Sequence, residues 1–188
     1  MLQSLSKWLL YKRMGWKKDV SFTLPNKAII CLAPHTSNWD FIIGQLYARA
    51  EGLHSNFLMK KEWFIWPLGW MFRKLGGIPV WRDKHTSMTD RLAEYAMRAD
   101  SFQLCVTPEG TRSLNAEWKK GFYYIAMKAK LPIFLYGVDF EQKMIVCSKV
   151  ITPTGDIEKE LKEIKLYFKD FKGRHPELFT IGEINNED

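Results

Sequence analysis

The sequence predicts an α/β domain in which helices flank a single mixed sheet, and three observations carry that expectation. Short apolar runs recur along the chain, each bounded by Pro, Gly or Asn, and read as buried strands. Between them lie longer segments with helical periodicity, and strands alternating with helices imply a sheet covered on its faces. The chain has 188 residues, 46% hydrophobic and 26% charged, which suits one folded domain with an enclosed core. No repeat, low-complexity stretch or Gly/Ser/Pro linker divides it.

Residues 1–18, MLQSLSKWLLYKRMGWKK, read as an amphipathic helix, and residues 19–188 as the domain that follows. Leu2, Leu5, Leu9 and, on an adjoining line, Trp8 make its apolar face, while Lys7, Lys12, Arg13, Lys17 and Lys18 supply positive charge. Lys7 interrupts the apolar part and no small-residue cleavage site follows, so a signal peptide is not expected. Nor does any apolar run approach the ~20 residues that cross a bilayer as a helix. Such a helix either lies in the headgroup plane, its apolar side sunk about 5–10 Å, or packs on the domain.

Lys27–Ala33 (KAIICLA) is a buried strand that Pro34 ends, and a helix follows from Asn38 to Glu51, with Phe41, Ile42, Leu46 and Tyr47 on its inner face. Asn56–Met59 is a short strand. The aromatic segment Glu62–Leu75 is broken by Pro67 and Gly69, and Ile78-Pro79-Val80 is extended. Ser87-Met-Thr-Asp90 has the spacing of a capping box for a helix through Ala99. Phe102–Val106 is a strand, Trp118–Lys130 a helix, Pro132–Val138 and Lys143–Cys147 strands, and Asp156–Phe171 a charged amphipathic helix.

The net charge of +7 and the 8 Trp, 7 Tyr and 12 Phe are the unusual numbers. Excess Lys and Arg point to an anionic partner, and aromatics with basic neighbours favour an anionic membrane surface, where Trp and Tyr rings settle at headgroup level. A nucleic-acid partner is not expected, because the aromatics sit in mixed apolar segments and no nucleic-acid motif occurs. Cys31, Cys105 and Cys147 lie in apolar runs and read as reduced core thiols; no Cys/His spacing suggests a metal.

Three clusters carry chemistry, and each follows a strand or short extended piece, where α/β folds gather their active loops. In Pro34-His35-Thr-Ser-Asn-Trp-Asp40, the imidazole of His35 has the side-chain pKa nearest neutrality and is suited to take a proton from an attacking hydroxyl. Asp40 is placed to fold back on the other ring nitrogen and fix the tautomer. In Thr107-Pro108-Glu109-Gly110-Thr111-Arg112-Ser113, Gly110 permits a tight turn, Thr111 and Ser113 add hydroxyls, and Arg112 offers a planar fork for phosphate oxygens. In Gly76-Gly-Ile-Pro-Val-Trp-Arg82-Asp83, two glycines allow close backbone approach and Arg82 stands just past the extended piece. Each cluster alone also reads as an ordinary polar turn.

Taken in order, the clusters resemble the glycerophospholipid (lysophosphatidate-type) acyltransferases. His35-x4-Asp40 resembles their H-x4-D motif, Gly77-Ile-Pro-Val-Trp-Arg82 their glycerophosphate-binding motif, and Pro108-Glu109-Gly110-Thr111-Arg112-Ser113 their P-E-G-T-R-S motif. Leu131-Pro132-Ile133 is similar to the fourth, and the resemblance spans roughly residues 27–140. It implies a glycerol-3-phosphate acyltransferase-like fold. It also implies transfer of a fatty acyl group from acyl-CoA or acyl-carrier protein to a lysophospholipid hydroxyl, most simply that of 1-acyl-glycerol-3-phosphate. His35 is then the base and Asp40 its orienter. Arg82 and Arg112, helped by the Gly110–Thr111 backbone, hold the acceptor phosphate, and Glu109 organises the loop. No cofactor or metal is required. The expected place is the cytoplasmic face of a membrane, as a peripheral or monotopic protein. Two other readings stay open from the sequence: a transferase for an aminolipid or other non-phosphate hydroxyl, and a non-catalytic membrane-binding module.

Overall fold

A computed structural model describes residues 2–80 and 88–183. Seven strands form one mixed sheet in the order β1-β7-β6-β2-β5-β3-β4. The strands are β1 (Lys17–Val20), β2 (Lys27–Ala33), β3 (Asn56–Lys60), β4 (Gly77–Val80), β5 (Phe102–Val106), β6 (Ile133–Asp139) and β7 (Met144–Ile151). β2 lies between β5 and β6 and is parallel to both; β3 pairs parallel with β5 and β4. β7 runs antiparallel to β6, which makes the sheet mixed, and β1 completes the edge parallel to β7.

The period of two along a strand splits the core into two layers. Ile29, Cys31 and Ala33 of β2 join Phe102, Leu104, Ile133 and Leu135 in one layer. Over that face pack α4 (Met88–Arg98), α5 (Gly121–Ala129) and α6 (Ile157–Phe168), through residues such as Leu92, Phe122 and Ile164. Ala28, Ile30 and Leu32 point the other way, among Phe134, Tyr136 and Val138. This second layer is covered by α2 (Asn38–Glu51) and the N-terminal helix, through Ile43, Tyr47 and Leu10. A central strand buried on both faces is why KAIICLA is apolar without alternation.

Several elements depart from the sequence reading. α1 (Leu2–Lys7) continues as a π-helical stretch only to Arg13, and Lys17 and Lys18 belong to strand β1. Nothing in KKDV signals a strand, because its backbone is recruited by the edge of β7 and its lysines are solvated, as edge lysines commonly are. The buried faces of α2 carry Ile43, Tyr47 and Ala50, whereas Ile42 is exposed. α5 begins at Gly121 rather than Trp118, because Trp118 is buried with its indole N–H donated to the Thr180 carbonyl and Lys119 N–H bonds to Pro108 O. β7 extends to Ile151, and α6 ends at Phe168 so that Phe171 can lie over Gly137. Ser87 of the expected capping box lies outside the described residues.

The N-terminal helix is bound to the domain on one side and bare on the other. Leu10 is fully buried, Gln3 donates to Ala50 O at 3.1 Å, and Tyr11 OH donates to Glu51 at 2.7 Å. Lys18 pairs with the same carboxylate, tying β1 to α2. Leu2, Leu5 and Trp8 remain exposed, alongside Lys7, Lys12 and Arg13. Because Leu10 is a core residue, Leu10→Ala is predicted to destabilise the whole domain by about 2–5 kcal/mol. Urea denaturation would show this as a lower midpoint in a single transition; a loss below ~1 kcal/mol would mean that the helix is not part of the cooperative core.

Candidate active site

The parallel strands β2 and β5 lie side by side, so the loops leaving their C-terminal ends are neighbours. The first loop, from Pro34 to Ser37, feeds α2; the second carries residues 107–113. α2 starts where it does because Ser37 caps it: the extended Ser37 accepts Trp39 N–H at 3.1 Å on its hydroxyl and forms a capping box with Asp40. That box puts Asp40 at the third helical position, facing back over the loop.

There Asp40, with 1% of its surface exposed, gathers three donors on one oxygen. Its Oδ2 accepts Thr36 N–H at 2.7 Å, Ser37 N–H at 2.8 Å and His35 Nδ1 at 3.1 Å. A carboxylate only accepts, so the imidazole proton sits on Nδ1 and the Nε2 lone pair is left outward. No described residue bonds Nε2, and the ring keeps 21% exposure. The pair therefore offers an oriented, accessible base.

Glu109 holds the loop from the other side. It is buried, and its Oε1 accepts His35 N–H at 2.8 Å, so the backbone and the ring of His35 are each fixed by a different carboxyl. Burial, with a smaller push from Asp40, raises the Glu109 pKa to about 7, although the His35 contacts oppose the shift. Glu109 Oε2 has no hydrogen-bond partner among the described residues.

The rest of the second loop is exposed. Gly110 takes φ +68°, a backbone conformation that glycine adopts without strain, and its N–H closes a turn on Thr107 O. Thr111 Oγ1 accepts Ser113 N–H at 3.2 Å, and Asn115 donates to both Glu109 O and Glu117 O, bracing the turn. Arg112 reaches back across the cleft between loops to donate to the Asn38 side chain in the first turn of α2. Its guanidinium is thereby brought beside the loop that carries His35, with its charge paired to no carboxylate among the described residues. Arg82 lies outside the described residues; β4 ends at Val80, at the same end of the sheet as β2 and β5.

His35, Asp40, Glu109 and Arg112 thus converge, while Gly110 and Thr111 form the exposed rim. Sequence reasoning missed Asn38, Asn115 and Thr36, whose roles depend on partners far along the chain. Among the described residues no three His, Cys, Asp or Glu side chains are arranged to hold a metal ion.

The aromatic segment stands out from the domain. Trp63, Ile65, Trp66 and Trp70, on and around α3 (Leu68–Lys74), are between 53% and 88% exposed, so core packing explains none of them. Phe64 is the inward member, against Phe72. No helix among the described residues is long and apolar enough to cross a membrane.

Residues 18–136, more than half of the chain, match the family model described as Acyltransferase. Among solved structures, the fold is shared with the 1-acyl-sn-glycerophosphate (LPA) acyltransferase PlsC from Thermotoga maritima, at a TM-score of 0.63 and 18% identity. That superposition covers 89% of this chain and 75% of the other. No curated protein sequence matches the chain significantly.

The raised pKa of Glu109 makes a testable stability signature. Between its ordinary value of 4.5 and about 7, the folded protein holds a proton that the unfolded chain has lost. The stabilisation from this group is complete below pH 4.5 and is lost as pH rises through about 7. Glu109→Gln keeps an oxygen for His35 N–H but cannot ionise. Its stability relative to wild type should therefore rise with pH across that window, by on the order of 3 kcal/mol. Denaturant titrations at a series of pH values would show it; a pH-independent difference contradicts the assignment.

Proposed function

Because the chain belongs to the acyltransferase family, we propose that it moves a fatty acyl group from a thioester carrier, acyl-CoA or acyl-carrier protein, to the hydroxyl of a lysophospholipid, with 1-acyl-glycerol-3-phosphate as the acceptor. The observation that supports this reading most is the His35 Nδ1–Asp40 contact at 3.1 Å, which leaves Nε2 without a partner among the described residues, at the end of the sheet. In the proposed step Nε2 removes the acceptor's hydroxyl proton as its oxygen attacks the thioester carbonyl. The C–S bond then breaks, and the proton leaves with the thiol. Asp40 stabilises the imidazolium that forms in between and keeps the ring from turning. The nucleophile arrives with the substrate, so no acyl-enzyme is needed.

Arg112 is suited to the acceptor's phosphate: a planar guanidinium paired, among the described residues, to a neutral amide keeps most of its donors for an anion. The Gly110–Thr111 turn and Arg82 would join it. Glu109 serves as a positioning residue, holding the His35 backbone. The exposed tryptophans of 63–70 and the bare side of the N-terminal helix, with Leu2, Leu5 and Trp8 among lysines and an arginine, suit docking on an anionic membrane. The thioester donors and the three free cysteines, of which Cys31 and Cys147 are buried, agree with its cytoplasmic face.

Thiol release from palmitoyl-CoA, with and without lysophosphatidic acid, tests the proposal. Release should depend on the acceptor, and His35→Ala should lower it by about 10²–10⁴-fold. A folded His35→Ala protein with near wild-type turnover would sink the mechanism. Turnover of a neutral or aminolipid acceptor that ignores Arg112→Ala would move the acceptor class away from phosphate. Silence with every donor and acceptor would leave only membrane binding.

A further inference from the structure

The C-terminal segment, beyond the 18–136 family match, returns to the loop that carries His35. His175 N–H donates to Thr36 Oγ1 at 3.2 Å, and Thr36 is itself buried beside His35. Gly173 lies so close that a Cβ there would stand 2.7 Å from Thr36 Oγ1 and 3.1 Å from Pro34 Cβ. One residue earlier, Lys172 N–H donates to the buried Asp139, and Phe140 N–H bonds to Lys172 O. Anchored on both sides, Arg174 projects its guanidinium over the Trp39 ring, 5.4 Å from the centroid.

Trp39 follows Asn38, the residue that receives Arg112. Two guanidiniums from distant parts of the chain are therefore held on consecutive residues of one helical turn, within four residues of His35. Their partners are a neutral amide and an aromatic ring, and among the described residues no carboxylate pairs with either. Neither charge is compensated by a carboxylate contact among the described residues, and a phosphate bound at this turn would supply that compensation. Arg174 also lines an open cleft of about 470 Å³ with Phe140, Glu141, Lys172, Gly173 and Pro176, space within the range of small-ligand sites.

We infer that Arg174 is a second phosphate-binding residue of this enzyme, completing with Arg112 a two-arginine clamp at the start of α2. The inference rests on the transferase reading above. The phosphate it binds belongs either to the acceptor's headgroup or to the coenzyme A part of the donor, and kinetics separate the two.

The experiment compares wild type, Arg174→Gln and Arg174→Lys in the palmitoyl-CoA and lysophosphatidic acid assay. Loss of one charge-assisted contact should raise one KM about tenfold, with kcat changed less than about twofold and Lys restoring part of the loss. A rise confined to lysophosphatidic acid assigns the acceptor's phosphate; a rise confined to palmitoyl-CoA assigns the donor's. Both KM values within about twofold of wild type overturn the inference. So does a fall in kcat that Lys leaves unrepaired, the result of a displaced His35 loop. Calorimetric binding of coenzyme A and of glycerol 3-phosphate reads the same site without turnover. A silent enzyme would thus be told apart from a clamp that does not exist: equal affinity of wild type and Arg174→Gln for both ligands also overturns the clamp.

Discussion

A single buried carboxylate oxygen organises this molecule's working end. Asp40 Oδ2 receives two backbone N–H groups and one imidazole nitrogen, so the strand-to-helix turn, the first turn of α2 and the orientation of His35 are one arrangement. A buried carboxyl without such donors is costly, which ties the folding of the loop to the placement of the ring. Glu109 fixes the same residue from the neighbouring strand's loop, by its backbone instead of its ring. The pairing of β2 with β5 is what brings those two loops together. The sheet thus enters the proposed chemistry by setting where two carboxyls meet one histidine.

Around that centre the chain recruits residues from both of its ends. The N-terminal helix closes the core layer beneath α2 through Leu10 and leaves its other side bare. The segment after α6 returns to touch Thr36 and Pro34, where Gly173 has no room for a side chain. The matched residues 18–136 hold the motif residues, but part of their support lies outside that span. Arg112, from the middle of the chain, and Arg174, from its C-terminal segment, both reach the first turn of α2.

Much of this was legible in the sequence. β2 and α2 were bounded correctly because Lys27–Ala33 is buried on both faces and Ser37 has the chemistry of a cap. The His35–Asp40 contact was foreseen from spacing, since five residues across a strand-to-helix turn bring the two side chains within reach. Illegible were features that depend on distant partners. β1 has no pattern of its own and exists because β7 offers an edge. Ile42 and Ile43 are chemically alike, and only the direction from which the sheet approaches α2 decides which is buried. Trp118 looked like the start of a helix but serves the core, and nothing in the tail's composition announced that Arg174 sits over Trp39. Local chemistry writes itself into the sequence; long-range meetings do not.

The central claim is that Asp40 fixes His35 with its proton on Nδ1 and its Nε2 lone pair free to act as the base. Nitrogen-15 NMR of the His35 ring, at a pH where the imidazole is neutral, tests this most directly. The account predicts a protonated Nδ1 and a bare Nε2 in the wild-type protein, and a loss of that tautomer preference in Asp40→Asn. A wild-type ring carrying its proton on Nε2 would contradict it, because a nitrogen already protonated cannot take the acceptor's proton.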